Sequence, residues 1–441
     1  TSSAFRETGS AILLLETPWG ADGLPDVSAL KAHASLLSDL RERGALRAAA
    51  TIRAGGLPAA LSRASLGNRI GAELDLAAIG EPAASRYGSF YAEVPADEAD
   101  RLAAAGRVLR IGTTGGESIR TAEWSIPLSA VAEALEGPLE GVFPVRAAAG
   151  AGAPGSSRPA TRSPDAAAGR RTTGLARPRV LIPVFPGTNC EIDTTRAFEA
   201  AGAEVEEVVF RNVGPDVTAE SVDRLAAALR RSHILALAGG FSAGDEPDGS
   251  GKYIAAAFRA PRLAEAVTEL LETRDGLVLG ICNGFQALVR LGLVPFGEIR
   301  PRTPEDPVLA ANSIGRHVAT MVRTRVASST SPWLRAADPE RVYAEPISHG
   351  EGRFVCGEEL LHSLWGNGQI ATQYVDYEGM VADEMPWNPN GSVDAVEAVS
   401  SPDGRVLGKM AHSERIRPGL YRNFPETGDM GIFESGVRYF A

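Results

Sequence analysis

The run Gly276-Leu277-Val278-Leu279-Gly280-Ile281-Cys282-Asn283-Gly284-Phe285-Gln286 leaves this chain few folds to choose from. Its apolar start reads as a buried strand, a tight Gly-x-Cys-x-Gly turn follows, and Gln286 to Leu291 suits a helix. Strand, strained turn and helix in that order make a nucleophile elbow, with cysteine where hydrolases of the α/β type place serine. The two glycines have a steric reason. A Cβ at either position would collide with the neighbouring strand or helix, while the turn holds the nucleophile in a strained backbone conformation. A helix start also favours a thiolate and offers free backbone N–H groups to a developing oxyanion. The plainer alternative is a core cysteine flanked by two loop glycines.

The text around the elbow favours the first reading. Val180 to Phe185 reads as a strand and Glu191 to Ala201 as a helix. Val205 to Phe210, Ile234 to Ala238 and Leu277 to Ile281 are further strands, with a helix over Val217 to Arg230 between them. Strands alternating with helices imply an α/β fold, an open and mostly parallel sheet covered on both faces. Chemistry then belongs at the carboxyl ends of the strands, where Pro186-Gly-Thr-Asn189, Gly239-Gly-Phe-Ser-Ala-Gly-Asp245 and Cys282 all fall.

With 441 residues the chain is too long for one ordinary core, and its composition marks the first boundary. Residues 146–178 are built from Ala, Gly, Pro, Ser, Thr and Arg, with almost nothing able to form a core, and read as a flexible tether. Residues 1–145 mix strand-like runs (Ala11 to Leu15, Gly88 to Val94, Val108 to Gly112, Ser118 to Trp124) with helical ones (Leu30 to Glu42, Pro58 to Leu66, Ala96 to Ala105). A smaller α+β domain is expected there, ahead of the α/β domain at 179–441. The chain opens on Thr1 and enters its first strand almost at once, which suggests a piece of a longer polypeptide.

A formal charge of −11 argues against a nucleic-acid partner and gives no reason to propose a membrane surface. No apolar run reaches membrane-spanning length. Three scattered cysteines make no disulfide framework, and six histidines without a Cys-x-x-Cys or His-Glu-x-x-His pattern predict no metal site. A reducing cytoplasm fits best.

A cysteine nucleophile needs a base, and the base needs an orienting group. His412-Ser413-Glu414 follows the apolar Val406-Leu-Gly-Lys-Met-Ala411, and in extended chain residues i and i+2 share a side. His412 and Glu414 are therefore the expected base and orienter for Cys282. A surface His beside a surface Glu is the ordinary alternative. Consecutive glycines let backbone N–H groups approach a substrate, so Gly240 and Phe241, with Asn283, are the expected oxyanion donors.

These motifs resemble the class I (triad) glutamine amidotransferases. Phe185-Pro-Gly-Thr-Asn-Cys190, Gly239-Gly-Phe-Ser-Ala-Gly-Asp245, Ser348-His-Gly-Glu-Gly-Arg-Phe354 and Asn388-Pro-Asn-Gly-Ser392 narrow the likeness to the phosphoribosylformylglycinamidine synthase family, over about 260 residues from Arg179 onward. One departure is Ser413, where the family is expected to carry Pro. In the N-terminal part, Ala54-Gly-Gly-Leu-Pro-Ala-Ala-Leu61, Ile70-Gly-Ala-Glu73 and Gly88-Ser-Phe-Tyr-Ala-Glu-Val94 resemble the C-terminal half-domain of the aminoimidazole ribonucleotide synthetase superfamily. In the long fused synthases such a domain precedes the glutaminase.

The resemblance implies a function in de novo purine biosynthesis. Glutamine would be hydrolysed through a glutamyl thioester on Cys282, with Gln286, His349 and Gly350 helping to hold it. The ammonia would pass to a synthetase portion that uses ATP and Mg2+ to convert formylglycinamide ribonucleotide to the amidine. No cofactor is implied for the glutaminase itself. The rivals are a cysteine peptidase or other hydrolase on the same fold, and a glutamine-binding assembly module that is idle or not catalytic.

Overall fold

The computed structural model describes residues 2–104, 106, 108–141, 174–244, 250–381, 385–421, 424 and 428–441. The chain divides into two compact units, Thr1–Phe143 and Pro144–Ala441. Residues 146–173 of the expected tether, and Asp245 of the glycine-rich motif, lie outside the described residues. Residues 174–178 already belong to the second unit. Leu175 is the first large apolar side chain after a long small-residue run; it packs on that unit's core, and its N–H donates to Phe440 O at 3.2 Å.

The first unit is α+β. Its strands are β1 Ala11–Leu15, β2 Ala48–Thr51, β3 Ala72–Leu74, β4 Phe90–Val94, β5 Leu109–Thr114, β6 Ser118–Arg120 and β7 Ser125–Pro127, in the order β2-β4-β1-β5-β3-β6-β7. Helices α1 Val27–Glu42, α2 Gly56–Asn68, α3 Ala96–Ala104 and α4 Leu128–Glu136 accompany them. Strand β1 shows why the sheet is covered on both faces. Its period of two sends Ile12 and Leu14 into one apolar cluster and Ala11, Leu13 and Leu15 into another. The strand expected over Ser118 to Trp124 is in fact a hairpin. Thr121 breaks it: its hydroxyl accepts from the N–H groups of Glu123 and Trp124, and its own N–H donates to Trp124 O at 2.8 Å.

In the second unit the strands are β8 Arg179–Val184, β9 Glu204–Val209, β10 Ile234–Leu237, β11 Leu277–Ile281, β12 Val308–Ala311, β13 Val318–Val326, β14 Val342–His349, β15 Glu351–Val355, β16 Ile370–Val375, β17 Val396–Ser400 and β18 Val406–Lys409. Nine form one sheet, ordered β14-β13-β16-β17-β18-β11-β10-β8-β9, while β12 and β15 pair separately. Helices α5 Glu191–Ala200, α6 Pro215–Arg231, α7 Lys252–Phe258, α8 Pro261–Thr268, α9 Asn283–Leu291, α10 Leu293–Phe296, α11 Glu358–Gly366 and α12 Ile432–Arg438 complete the unit.

Only part of the large sheet is parallel. β9, β8, β10, β11 and β18 run together, and β10 and β11 are buried along their whole length, as strands covered on both faces must be. From β18 outward through β17, β16, β13 and β14 every ladder is antiparallel. Residues 401–405 between β17 and β18 are too few for the crossover that a parallel pair needs. The antiparallel half also curls. Three strands lie between β14 and β18, yet the His412 N–H, just beyond β18, donates to Pro346 O of β14 at 2.9 Å.

Candidate active site

The elbow forms as its glycines require. Cys282 sits between β11 and α9 with φ 53° and ψ −107°, a conformation that costs a non-glycine residue on the order of 1–3 kcal/mol. Something must hold it there, and packing does. A Cβ on Gly284 would collide with the Leu237 carbonyl oxygen of β10, and one on Gly280 would stand 2.5 Å from Leu288 Cδ1 of α9. The helix thus lies directly on the strands. The Cys282 N–H donates to Lys409 O at 2.8 Å, which ties the elbow to the strand that leads to His412.

His412 and Glu414 come together, though not as extended chain. Ser413–Arg415 form one turn of 3-10 helix, and that turn, rather than strand alternation, brings the carboxylate back to the ring. His412 Nδ1 donates to Glu414 Oε1 at 2.5 Å, and both side chains are almost wholly buried. Nε2 has no hydrogen-bond partner among the described residues. Burial alone would lower the His412 pKa; the Glu414 carboxylate, with the Cys282 and Cys190 sulfurs, outweighs it and holds the pKa well above the ordinary value. The Cys282 sulfur lies 3.8 Å from Ser348 O. Gly239 is the spacer of the site: a Cβ there would stand 2.9 Å from His412 Cε1, 3.1 Å from Cys190 Sγ and 3.4 Å from Cys282 Cβ.

Of the expected oxyanion donors, two have the right availability. The Gly240 N–H has no acceptor among the described residues, and the Asn283 N–H lies in the first turn of α9, where helices leave donors unpaired. Phe241 is corrected. Its N–H donates to Gly187 O at 2.9 Å, because Thr188 and Gly240 face each other across a short antiparallel bridge.

The residues expected to hold substrate are differently employed. Gln286 Oε1 accepts from Asn283 Nδ2 at 2.9 Å and its Nε2 donates to Glu351 O at 2.5 Å, so the amide braces α9 against β15. His349 is buried. Burial, with His412 and His317 nearby, pushes its pKa down to about 3, and Gly352 lies against its ring. Gly350 O accepts from Asn312 N at 2.8 Å.

Sequence reasoning assigned no role to Cys190, Arg415, Glu345, Glu397 or Lys409. Cys190 caps the start of α5, receives Arg415 Nη2 at 3.0 Å and lies 3.9 Å from His412 Nδ1. Its signal was the Phe185-Pro-Gly-Thr-Asn-Cys190 motif at a strand end. Cys190, His412 and Glu414 present ligand atoms within 4.8 Å of one another, the spacing of a metal site. A cation does not suit them: the Arg415 guanidinium rests on the sulfur, and the His412 proton occupies Nδ1 and Glu414. Glu345, Glu397 and Lys409 could have been suspected as charges inside apolar strands.

The sequence profile of the CobB/CobQ-like glutamine amidotransferase domain matches residues 177–440. A phosphoribosylformylglycinamidine synthase subunit PurQ from Methanococcus maripaludis is 35% identical over 243 residues, 54% of this chain and 82% of that one. PurQ from Dehalococcoides mccartyi is 32% identical over 273 residues, 60% of this chain and 98% of that one. Among solved structures, PurLQS from Thermotoga maritima is 25% identical, covering 60% of this chain and 100% of that chain with a TM-score of 0.43. The present chain is longer than these PurQ proteins, with an added N-terminal unit.

Proposed function

The chain belongs to the CobB/CobQ-like glutamine amidotransferases, and we propose that its second unit is the glutamine-hydrolysing, ammonia-supplying part of a phosphoribosylformylglycinamidine synthase. The observation that carries the reading is Cys282 at φ 53°, at the head of a buried helix, beside an imidazole whose other nitrogen donates to a buried carboxylate.

The chemistry follows from the groups present. Cys282 Sγ, as thiolate, adds to the side-chain carbonyl carbon of glutamine. Charge moves to the amide oxygen, where the N–H groups of Gly240 and Asn283 receive it; loss of one such donor costs about 3 kcal/mol of transition-state stabilisation. His412 Nε2 gives its proton to the departing nitrogen, ammonia leaves, and a glutamyl thioester remains. The neutral ring then takes a proton from water as its oxygen attacks the thioester, which releases glutamate and restores the thiolate. Glu414 fixes the Nδ1–H tautomer throughout. No step needs a cofactor.

The ammonia is consumed by a synthetase portion of the PurL kind, where ATP and Mg2+ drive amidination of formylglycinamide ribonucleotide. Residues 1–145 are read as a half-domain of that portion, 146–178 as the connection and 179–441 as the glutaminase. Neither nucleic acid nor membrane is a partner in this reading, and the cytoplasm is its place. Free Cys190, Cys282 and Cys356 agree with a reducing compartment, and among the described residues no helix is long and apolar enough to cross a membrane.

Diazo-oxo-norleucine, a glutamine-like electrophile, tests the site. One adduct per chain, mapped to Cys282 by mass spectrometry and absent from Cys282→Ala, is the expected result. An adduct on Cys190 would move the nucleophile to the other cysteine. A chain that is labelled nowhere, even with a synthetase subunit supplied, would favour a binding module, and turnover of peptides instead of glutamine would favour a peptidase.

A further inference from the structure

Directly behind the His412–Glu414 turn lies a cluster of charges that the chemistry above does not use. Lys409, at the end of β18, Glu345 of β14 and Glu397 of β17 have fully buried side chains. Burying an ion costs several kcal/mol unless its partners are well placed. Apolar residues of similar volume would fill the same space, so packing does not explain these three.

Their hydrogen bonds do. Lys409 Nζ donates to Glu345 Oε2 at 2.8 Å, to Ala411 O at 3.2 Å and to Ser413 Oγ at 2.9 Å. Ser413 Oγ donates in turn to Glu345 Oε1. Glu397 Oε1 accepts from the N–H groups of Met410 and Ala411, at 2.9 and 2.7 Å. The ammonium therefore holds the residues on either side of His412, and a carboxylate holds the two N–H groups before it. The same carboxylate pair belongs to the antiparallel half of the sheet, and β14 also supplies the Pro346 oxygen that receives the His412 N–H. The turn's own backbone bonds are few, Arg415 N–H to His412 O at 3.2 Å and Ile416 N–H to Ser413 O at 3.1 Å, and this network braces it from behind.

We infer that Lys409, Glu345 and Ser413 form a buried positioning group that sets the His412 imidazole against Cys282. The inference rests on reading Cys282–His412 as a nucleophile–base pair. It predicts a particular coupling. Removing the ammonium alone orphans Glu345 and displaces the turn, whereas removing both charges leaves only Glu397, which keeps Thr372 Oγ1 and the N–H groups of Met410 and Ala411, and Ser413 still has an amide partner.

The test uses the full chain and two readouts: the rate at which iodoacetamide alkylates Cys282, followed by mass spectrometry, and the steady-state kinetics of glutamine hydrolysis. Lys409→Met is expected to slow alkylation and lower kcat by about 100-fold, the effect of a misplaced catalytic group, with KM for glutamine changed by less than about threefold. Adding Glu345→Gln is expected to recover about tenfold of the loss. Ser413→Ala, which keeps both charges, serves if Lys409→Met does not fold, and should cost roughly tenfold in both readouts. Wild-type alkylation in a folded Lys409→Met or Ser413→Ala chain would overturn the inference, as would a double variant no faster than the single one. A wild-type chain that turns over no glutamine even with a synthetase subunit supplied, but whose alkylation slows in these variants, would refute the glutaminase reading and leave the positioning group standing.

Discussion

The two halves of the large sheet deal with polarity in opposite ways. In the parallel half β10 and β11 bury Ile-Leu-Ala-Leu and Leu-Val-Leu-Gly-Ile, with no ionisable side chain among them. The antiparallel half buries Thr324, Glu345, Thr372, Gln373 and Glu397. Each half delivers one partner of the site. The proposed nucleophile is located by steric exclusion: rigid apolar strands and glycines leave Cys282 one place to be. The proposed base is located by hydrogen bonds that reach across a curled sheet. Exclusion of that kind fails when a single methyl group is added, whereas a network fails when one charge loses its partner.

The largest predicted effect breaks the base side. Glu414→Gln keeps size and burial but cannot fix the Nδ1–H tautomer as the carboxylate does, so kcat for glutamine hydrolysis should fall about 10⁴-fold with little change in unfolding temperature. A fall of less than about tenfold would remove Glu414 from the mechanism. The nucleophile side breaks differently. Gly284→Ala forces a methyl group into the Leu237 carbonyl and should cost about 3 kcal/mol of stability in denaturant titration, with activity lost as the elbow shifts. Unchanged stability would mean that α9 can slide on β10, contrary to a located nucleophile.

This asymmetry also sets what the sequence can reveal. The elbow is legible because its causes lie within a few residues: an apolar strand, glycines two positions either side of Cys282, and a helix. The strand–helix rhythm through Ile281 was legible for the same reason. The antiparallel strands were not. Their partners are set by chain returning from far away, and no local period announces that β14 will curl back to Pro346–His412 contact. Within the site, Cys282, His412 and Glu414 stand together as their motifs suggest. Phe241 does not serve as expected, because whether an N–H is free depends on Gly187, which lies 54 positions earlier in the chain. Glu345 and Glu397 show no spacing relation to His412 at all.

His349, on β14, gives a smaller and pH-dependent test of the network side. Its pKa is about 3 in the folded chain against an ordinary 6.5, so the unfolded chain takes up the proton first. Stability from this group is complete above about pH 7, is lost as pH falls through 6.5, and the loss levels off near 3. Between pH 7 and pH 5 the wild type should lose about 2 kcal/mol more than His349→Gln, measured by urea unfolding at each pH. Parallel curves for the two proteins would mean that the buried ring accepts a proton without cost, and that the antiparallel side is looser than its hydrogen bonds indicate.

The smallest effect separates the two cysteines. Burial alone would lower the His412 pKa, and what reverses this is, in decreasing weight, the Glu414 charge, the Cys282 sulfur and then a hydrogen bond with Cys190. In Cys190→Ala the last of these is gone, and Arg415, 3.0 Å from that sulfur in the native chain, is left to repel an imidazolium. Both changes act in one direction. The His412 pKa falls, so the pH at which Cys282 loses its imidazolium partner falls too. The alkaline limb of the Cys282 alkylation profile should move to lower pH, with the plateau rate preserved. Loss of all glutamine-directed labelling would instead make Cys190 the nucleophile and the strained elbow a structural feature. An unmoved limb would assign the control of His412 to Glu414 and Cys282 alone, and would leave Cys190 as a packed cap at the head of α5. The size of the shift therefore measures how far the parallel half, which holds Cys190 at its strand end, contributes electrostatically to a base that the antiparallel half holds in place.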